Sequence, residues 1–163
     1  VIRIVIPGEP KPKRAPRVGR IGKGENARPR LFAHPETAKV ERNIRQFAVE
    51  AMADAGIDRP LTGPVVVTIR AYRSAGTKSM SHRMRADALA DRVRPISRPD
   101  VDNYSKAALD AINGVVFLDD AQVVAELIVK MYSDRPRLEI VVAEWLPRGE
   151  ERNDISGATR EEK

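Results

Sequence analysis

Six acids and one lysine occupy the stretch from Asp100 to Glu126, in a chain whose formal net charge is +6. Four of the acids fall in two pairs. Asp100 and Asp102 stand in Arg98-Pro99-Asp100-Val101-Asp102-Asn103-Tyr104-Ser105-Lys106, and Asp119-Asp120 follows Val115-Val116-Phe117-Leu118. Two carboxylates brought within about 4 Å repel by roughly 4 kcal/mol at an effective dielectric near 20, so a fold that gathers them is expected to hold a cation. Hard divalent ions such as Mg²⁺ take oxygen ligands, commonly one or two carboxylates together with substrate phosphate. Each piece also has a plainer reading. An aspartate ahead of a helix is an ordinary N-cap, and an Asp-Asp pair after a strand is an ordinary solvated turn.

The flanking residues predict how the acids are held. Pro99 biases Arg98 toward extended backbone. With Asp100-Val101-Asp102 extended, both carboxylates point to one side, roughly 6–7 Å apart. Asp102 or Asn103 then caps a helix over about residues 103–113. Its apolar face is Tyr104, Ala107, Ala108, Ala111 and Ile112, at helical spacing, and Asn113-Gly114 stops it. Lys106, four residues past Asp102, falls one turn on, near the same edge. Val115 to Leu118 reads as a short buried strand that delivers Asp119 and Asp120.

The remaining elements form a scaffold. Val1 to Ile6 reads as a strand ended by Pro7-Gly8. His34-Pro35-Glu36 opens a helix to about residue 55, with Val40, Ile44, Phe47, Ala48, Ala51 and Ala55 as its core stripe and Gly56 beyond it. His34 has no second histidine at metal spacing and reads as a helix-entry residue. Val65 to Tyr72 is a β-branched strand. Gln122 to Tyr132 alternates as a strand, with Val123, Ala125, Leu127, Val129 and Met131 on one face. Leu138 to Trp145 reads as its hairpin partner. The expected architecture is α+β: one domain over residues 1–146, with two main helices packed on one mixed sheet. Residues 147–163 are polar and charged and read as a disordered tail.

Two basic segments frame the acids. Glu9 to Arg30 holds Lys11, Lys13, Arg14, Arg17, Arg20, Lys23, Arg28 and Arg30 against two glutamates, and reads as a mobile loop that contacts phosphates. Ser74 to Pro99 carries six Lys/Arg, including Arg83, Arg85 and Arg98, against two aspartates, with a short helix from His82 to Ala90. A pI of 9.9 favours a polyanionic partner, most simply nucleic acid. Cysteine is absent, which excludes disulfides and thiolate metal sites and suits a reducing cytoplasm. No apolar run approaches the length of about 20 residues that spans a membrane.

Pro99-Asp100-Val101-Asp102-Asn103, Lys106, Asp110-Ala111, Leu118-Asp119-Asp120-Ala121-Gln122-Val123 and Lys130 together closely resemble the RusA-type Holliday-junction resolvases, small Mg²⁺-dependent dimeric endonucleases of cellular and phage origin. The match is specific in the central third of the chain, where both motifs occur in order and at the family's spacing. The resemblance implies a RusA-like fold and paired phosphodiester hydrolysis in four-way DNA junctions. It implies metal-binding catalytic carboxylates at Asp100, Asp102 and Asp120, with Mg²⁺ as cofactor and Mn²⁺ as its substitute. Lys106 is implied as a base or phosphate contact, with Asp119 and Asn103 accessory and Lys130 near the site. The turn at Asn113-Gly114-Val115 leaves Asp119 and Asp120 as alternative ligands. It further implies a homodimer in the cytoplasm of a bacterium or of a phage's host, with Lys11, Lys13, Arg14, Arg17, Arg83, Arg85 and Arg98 gripping DNA. Val116, Phe117 and the strand faces are candidates for the dimer surface. A non-catalytic DNA-binding module, a metal enzyme acting on nucleotides and a structural assembly protein are the rival readings. Against the nucleotide enzyme stands the lack of a Gly-x-x-x-x-Gly-Lys-Ser/Thr phosphate cradle.

Overall fold

A computed structural model describes residues 1–22, 24, 27–32, 34–76 and 80–147. In chain order the elements are β1 (Ile2–Pro7), β2 (Arg17–Ile21), β3 (Arg28–Phe32), α1 (Pro35–Asp54), β4 (Val65–Ser74), α2 (His82–Leu89), α3 (Val101–Ile112), β5 (Val123–Ser133) and β6 (Arg137–Glu144). Four strands make one sheet in the order β1-β6-β4-β5. β6 runs antiparallel to both of its neighbours, while β4 and β5 are parallel.

Alternation decides which face is covered. Ile2, Ile4 and Ile6 register with Val142, Ile140 and Leu138, which in turn register with Val67, Ile69 and Ala71. All of these are buried. Against this face lie Ile44, Ala48 and Met52 of α1 and Tyr104, Ala108, Ala111 and Ile112 of α3, in one core. The apolar faces expected for both helices are therefore the ones packed, except that Ala55 is the exposed C-cap of α1. The opposite face of the sheet carries Arg70, Glu139 and Arg137, with the Arg137 guanidinium 3.7 Å over the Tyr72 ring. The α+β class and the mixed sheet with helices on one side are as expected; α2 is a third, shorter helix.

Several local expectations are corrected. Asp100-Val101-Asp102 is not extended, because α3 begins at Val101 with Asp100 as its N-cap. Asp102 thus lies inside the first turn. Val115–Leu118 is a turn, not a strand; Gly114 takes φ 70, and only Phe117 makes isolated bridges, to Leu61 and Asn113. Val116 and Phe117 are fully buried, so neither belongs to a dimer surface. β5 and β6 do not pair as a hairpin. The chain crosses the end of β4 and β6 lies on its other edge, where Leu138, Ile140 and Val142 extend the covered face. The alternation of β5 is broken by a register shift: Val65 pairs with Val123, but Val66 pairs with Ala125. Val123, Glu126, Ile128 and Lys130 therefore share the helix-covered side, and Ala125, Leu127, Val129 and Met131 the open one. The segment read as a loop from Glu9 to Arg30 contains the antiparallel pair β2–β3. Lys23, Lys78 and the tail from residue 148 onward lie outside the described residues.

Candidate active site

The first acid pair sits where α3 starts. Asp100 occupies the N-cap position at φ −74 and ψ 155, yet its side chain makes no capping hydrogen bond, so its carboxylate is not used by the fold. Asp102, one turn from Lys106, accepts from its Nζ at 2.9 Å, and the Asn103 amide donates to the other Asp102 oxygen at 3.3 Å. The hydrogen bond from Lys106 holds the Asp102 carboxyl below its ordinary pKa. A helix N-terminus favours anions in its first turn, so this position tolerates two exposed carboxylates beside each other.

The approach to α3 is fastened from the sheet. Lys130 on β5 donates to the Ser97 and Pro99 carbonyls, both at 3.0 Å. Arg73, near the end of β4, donates to Ser97 Oγ at 3.1 Å and to the Arg98 carbonyl at 3.2 Å, and also meets Glu9. Lys130 is thus held next to the residue that precedes Asp100. One turn further along α3, the nearly buried Ser105 donates to Glu126 of β5. Arg73 and the Ser105–Glu126 bond are positioning features that sequence reasoning missed. The one signal for Glu126 was an acid inside an apolar strand, and Arg73 gave none.

The second acid pair is held differently. Asp119 caps a 3₁₀ turn, Asp120–Gln122, accepting from the Ala121 N–H at 2.8 Å, while the Gln122 amide oxygen accepts from the Asp119 N–H at 2.9 Å. The Gln122 amide nitrogen reaches across to the Leu61 and Gly63 carbonyls at 2.9 and 2.8 Å. Asp119 is therefore committed to the fold, and Asp120 has no side-chain hydrogen bond among the described residues. That contrast bears on the choice between them, because a carboxylate free of structural duty is the one available to a ligand.

Within one chain the two pairs are apart. Val123 registers with Val65 at the start of β4, and Lys130 with Ala71 near its end. Gln122 ties Asp119-Asp120 to the first end, and Lys130 ties Pro99 to the other. From Asp102 to Ile112, the last residue of α3, the helix rises about 15 Å. Among the described residues no group of three or more histidine, aspartate or glutamate side chains is arranged to hold a metal ion. Asp100 and Asp102 alone still offer the oxygen donors and the open coordination positions that suit Mg²⁺ bridging to phosphate.

The basic residues divide into two classes. Lys13 pairs with Asp110 and lies 3.8 Å from Glu41; the hydrogen bond to Asp110 raises its pKa. Its backbone N–H bonds the Asn103 carbonyl at 2.8 Å. Arg14 pairs with Glu36 at 2.8 Å, and an Arg17 guanidinium nitrogen lies 2.9 Å from His34 Nε2. His34 also caps α1 by accepting from the Glu36 N–H, so it is a helix-entry residue as expected. These cations clamp the segment after β1 onto α1 and α3. Lys11, Arg83, Arg85 and Arg98 are exposed and make no ion pair among the described residues, whereas Arg92 and Arg94 pair with Asp87 and Asp91. No helix among the described residues is long and apolar enough to cross a membrane.

The chain is similar, at 31% identity over 145 residues, to the uncharacterized protein YqaN of Bacillus subtilis (strain 168), the alignment covering 88% of this chain and 96% of that protein. The sequence profile of a family described as endodeoxyribonuclease RusA matches residues 7–143, from the end of β1 almost to the end of β6. That span takes in both acid pairs, Lys106, Lys130 and the whole sheet except the first residues of β1 and the last of β6, and on it the chain belongs to the RusA endodeoxyribonuclease family.

Proposed function

We propose that the chain is a Mg²⁺-dependent endodeoxyribonuclease that cuts four-way DNA junctions as a homodimer. The observation that carries this reading is the start of α3. There, Asp100 makes no capping bond, Asp102 is engaged only by its helix neighbours Lys106 and Asn103, and both exposed carboxylates directly follow a loop whose carbonyls are fixed by Arg73 and Lys130. Asp100, Asp102 and Asp120 are the donors for the ion, and Mn²⁺ substitutes for it. When bound, the ion polarises the scissile phosphate and lowers the pKa of a water that attacks it.

The protein's own contribution is positioning. Lys106 balances the Asp102 charge in the resting chain. As a compact cation with three donors, it serves in the reaction either to orient the attacking water or to offset charge on the phosphorane. Arg73 and Lys130 hold residues 97–99, and with them the direction in which α3 presents its acids. Arg83, Arg85, Arg98 and Lys11 are the cations left to meet backbone phosphates, which fix a duplex in place without reading its bases. Lys13, Arg14 and Arg17 join them only by giving up Asp110, Glu36 and His34. Two active centres related by a two-fold axis match the approximate two-fold symmetry of a junction, which needs two cuts.

The test is cleavage of a labelled synthetic four-way junction beside a linear duplex, with Mg²⁺ or with EDTA, by wild type and Asp102→Asn. Paired symmetric cuts in the junction alone, lost with EDTA and in the variant, are expected. Tight junction binding without cuts under any divalent ion would replace this reading with that of a DNA-binding module.

A further inference from the structure

The ten residues of β2 and β3 are the strand residues that the core uses least. Arg17, Val18, Gly19, Arg20 and Ile21 register with Phe32, Leu31, Arg30, Pro29 and Arg28. All are exposed except the partly covered Gly19, and none belongs to the core. We infer that this ribbon is a wedge for branched DNA. It enters the branch point, sets Val18 and Leu31 against base-pair faces, and parts the pairs stacked there. This rests on the reading of the chain as a junction nuclease, and it adds how a junction is told from a duplex.

Composition names the partner. The ribbon holds four arginines, four large apolar residues and no acid. Arg20, Arg28 and Arg30 make no ion pair among the described residues. Val18 is 74% exposed and Leu31 64%, and the two stand directly opposite each other. Bare apolar side chains set among unopposed cations fit a polyanion that also presents apolar faces. DNA does so wherever its stack is interrupted.

Register separates the two faces, because opposed residues share a face and neighbours along a strand alternate. One face carries Arg17, Arg28, Arg30, Ile21 and Phe32. Its aromatic ring is already engaged: it lies over Gly19, where a Cβ would stand 2.7 Å from it, and the Arg30 guanidinium lies 5.8 Å from its centroid. The other face carries Val18 and Leu31, with Arg20 and Pro29 beyond them. Aliphatic side chains inserted at base steps are a known means of unstacking and kinking a duplex.

The root of the ribbon is anchored. Arg14 pairs with Glu36, and its N–H donates to Thr37 Oγ1 at 3.1 Å. Arg17 stands against His34, the N-cap of α1, which follows Phe32 by two residues. Both strands are thus tied to the start of α1, and the tie gives direction to a hairpin that is marginal by itself. From Arg17 to Ile21 the ribbon reaches about 13 Å, beyond the groove depth of about 8 Å. Parting an intact stack is costly. At a branch the stack is already broken, so the same wedge favours junctions.

The test places 2-aminopurine, which fluoresces when unstacked, beside the branch point of a synthetic junction in EDTA. Wild type is expected to raise its fluorescence, and not that of the same base inside a linear duplex. Val18→Thr/Leu31→Thr keeps β-branched residues suited to a strand and removes the apolar wedge. It is expected to abolish the rise and to lower the preference for junction over duplex by about tenfold or more, with melting temperature and salt slope unchanged. Arg28→Ala/Arg30→Ala is expected to lower the salt slope on junction and duplex alike, by about 0.9 per lost phosphate contact. Val5→Thr, on β1, is the control and should alter none of these.

No rise with wild type, or an undiminished rise with Val18→Thr/Leu31→Thr, overturns the inference even where Mg²⁺ supports normal cutting. So does a change in the oligomeric state of that variant, read by sedimentation, which would make the apolar face a contact between proteins. A rise with wild type that never cuts under any divalent ion removes the nuclease reading and leaves the wedge standing.

Discussion

The two acid pairs, less than twenty residues apart, are built on opposite terms. At the start of α3 the fold asks little of the carboxylates: Asp100 caps nothing, and Asp102 meets only its helix neighbours Lys106 and Asn103 at the surface. At the start of β5 the fold depends on one carboxylate and one amide, Asp119 and Gln122, and leaves Asp120 unengaged. The first region is positioned from outside, by Arg73 and Lys130 acting on its backbone. The second positions itself, through its own capping bonds and the reach of Gln122 to Leu61 and Gly63. A residue's closeness to the chemistry and its duty in the fold are therefore separable here, and substitutions can tell them apart.

The largest expected effect is on cleavage alone. Asp100→Asn, Asp102→Asn and Asp120→Asn are each predicted to lower junction cutting by about two to three orders of magnitude, the usual cost of one lost electrostatic group. Their melting temperatures should stay at the wild-type value, read by circular dichroism. An Asp120→Asn chain that melts early would break the contrast with Asp119.

Next is Gln122→Ala. It leaves the Leu61 and Gly63 carbonyls without their donor, and is predicted to cost about 1–3 kcal/mol in urea unfolding, with cleavage falling as Asp120 loses its support. Smaller still is Asp119→Ala, which removes a cap worth about 1 kcal/mol. Asp119→Asn keeps an acceptor oxygen and should restore most of that stability with near-normal cleavage. Loss of cleavage in stable Asp119→Asn protein would make Asp119 a ligand rather than a cap.

The smallest effect concerns the surface cations. Arg83→Ala and Arg85→Ala should each reduce the salt slope of junction binding by about 0.9 per lost phosphate contact. Lys13→Ala should change it less, because that ammonium already faces Asp110. Equal slopes for all three would show that DNA draws Lys13 away from its partner.

Much of this was legible beforehand, because it depends on periodicity. The faces of α1 and α3, the β4 strand and the covered side of the sheet follow from apolar spacing, and both acid motifs stood in the family's order. What stayed hidden depends on tertiary choice. Asp, Asn and Ser are near-equal N-caps, so nothing local told Asp100 from Asp102 as the cap, and that single step turned an extended pair into a helical one. β4 has two edges, and alternation in β6 fits either. The β5 register shift is invisible in a run of valines. That Lys13, Arg14 and Arg17 meet Asp110, Glu36 and His34 was equally hidden, since these partners are distant in sequence.

The sheet order has a consequence for when the molecule can act. β6 is the last of the described elements in chain order, yet it is the strand that joins β1 to β4, with Ile2 meeting Val142 across it. As the chain leaves the ribosome, β1 waits without a sheet partner until residues 137–144 emerge, and pairings this distant in sequence are the slow ones. Both acid pairs are synthesised well before the sheet that positions them can close. The nascent chain therefore carries both acid pairs in an unassembled form until β6 emerges, and only then can the sheet that positions them close.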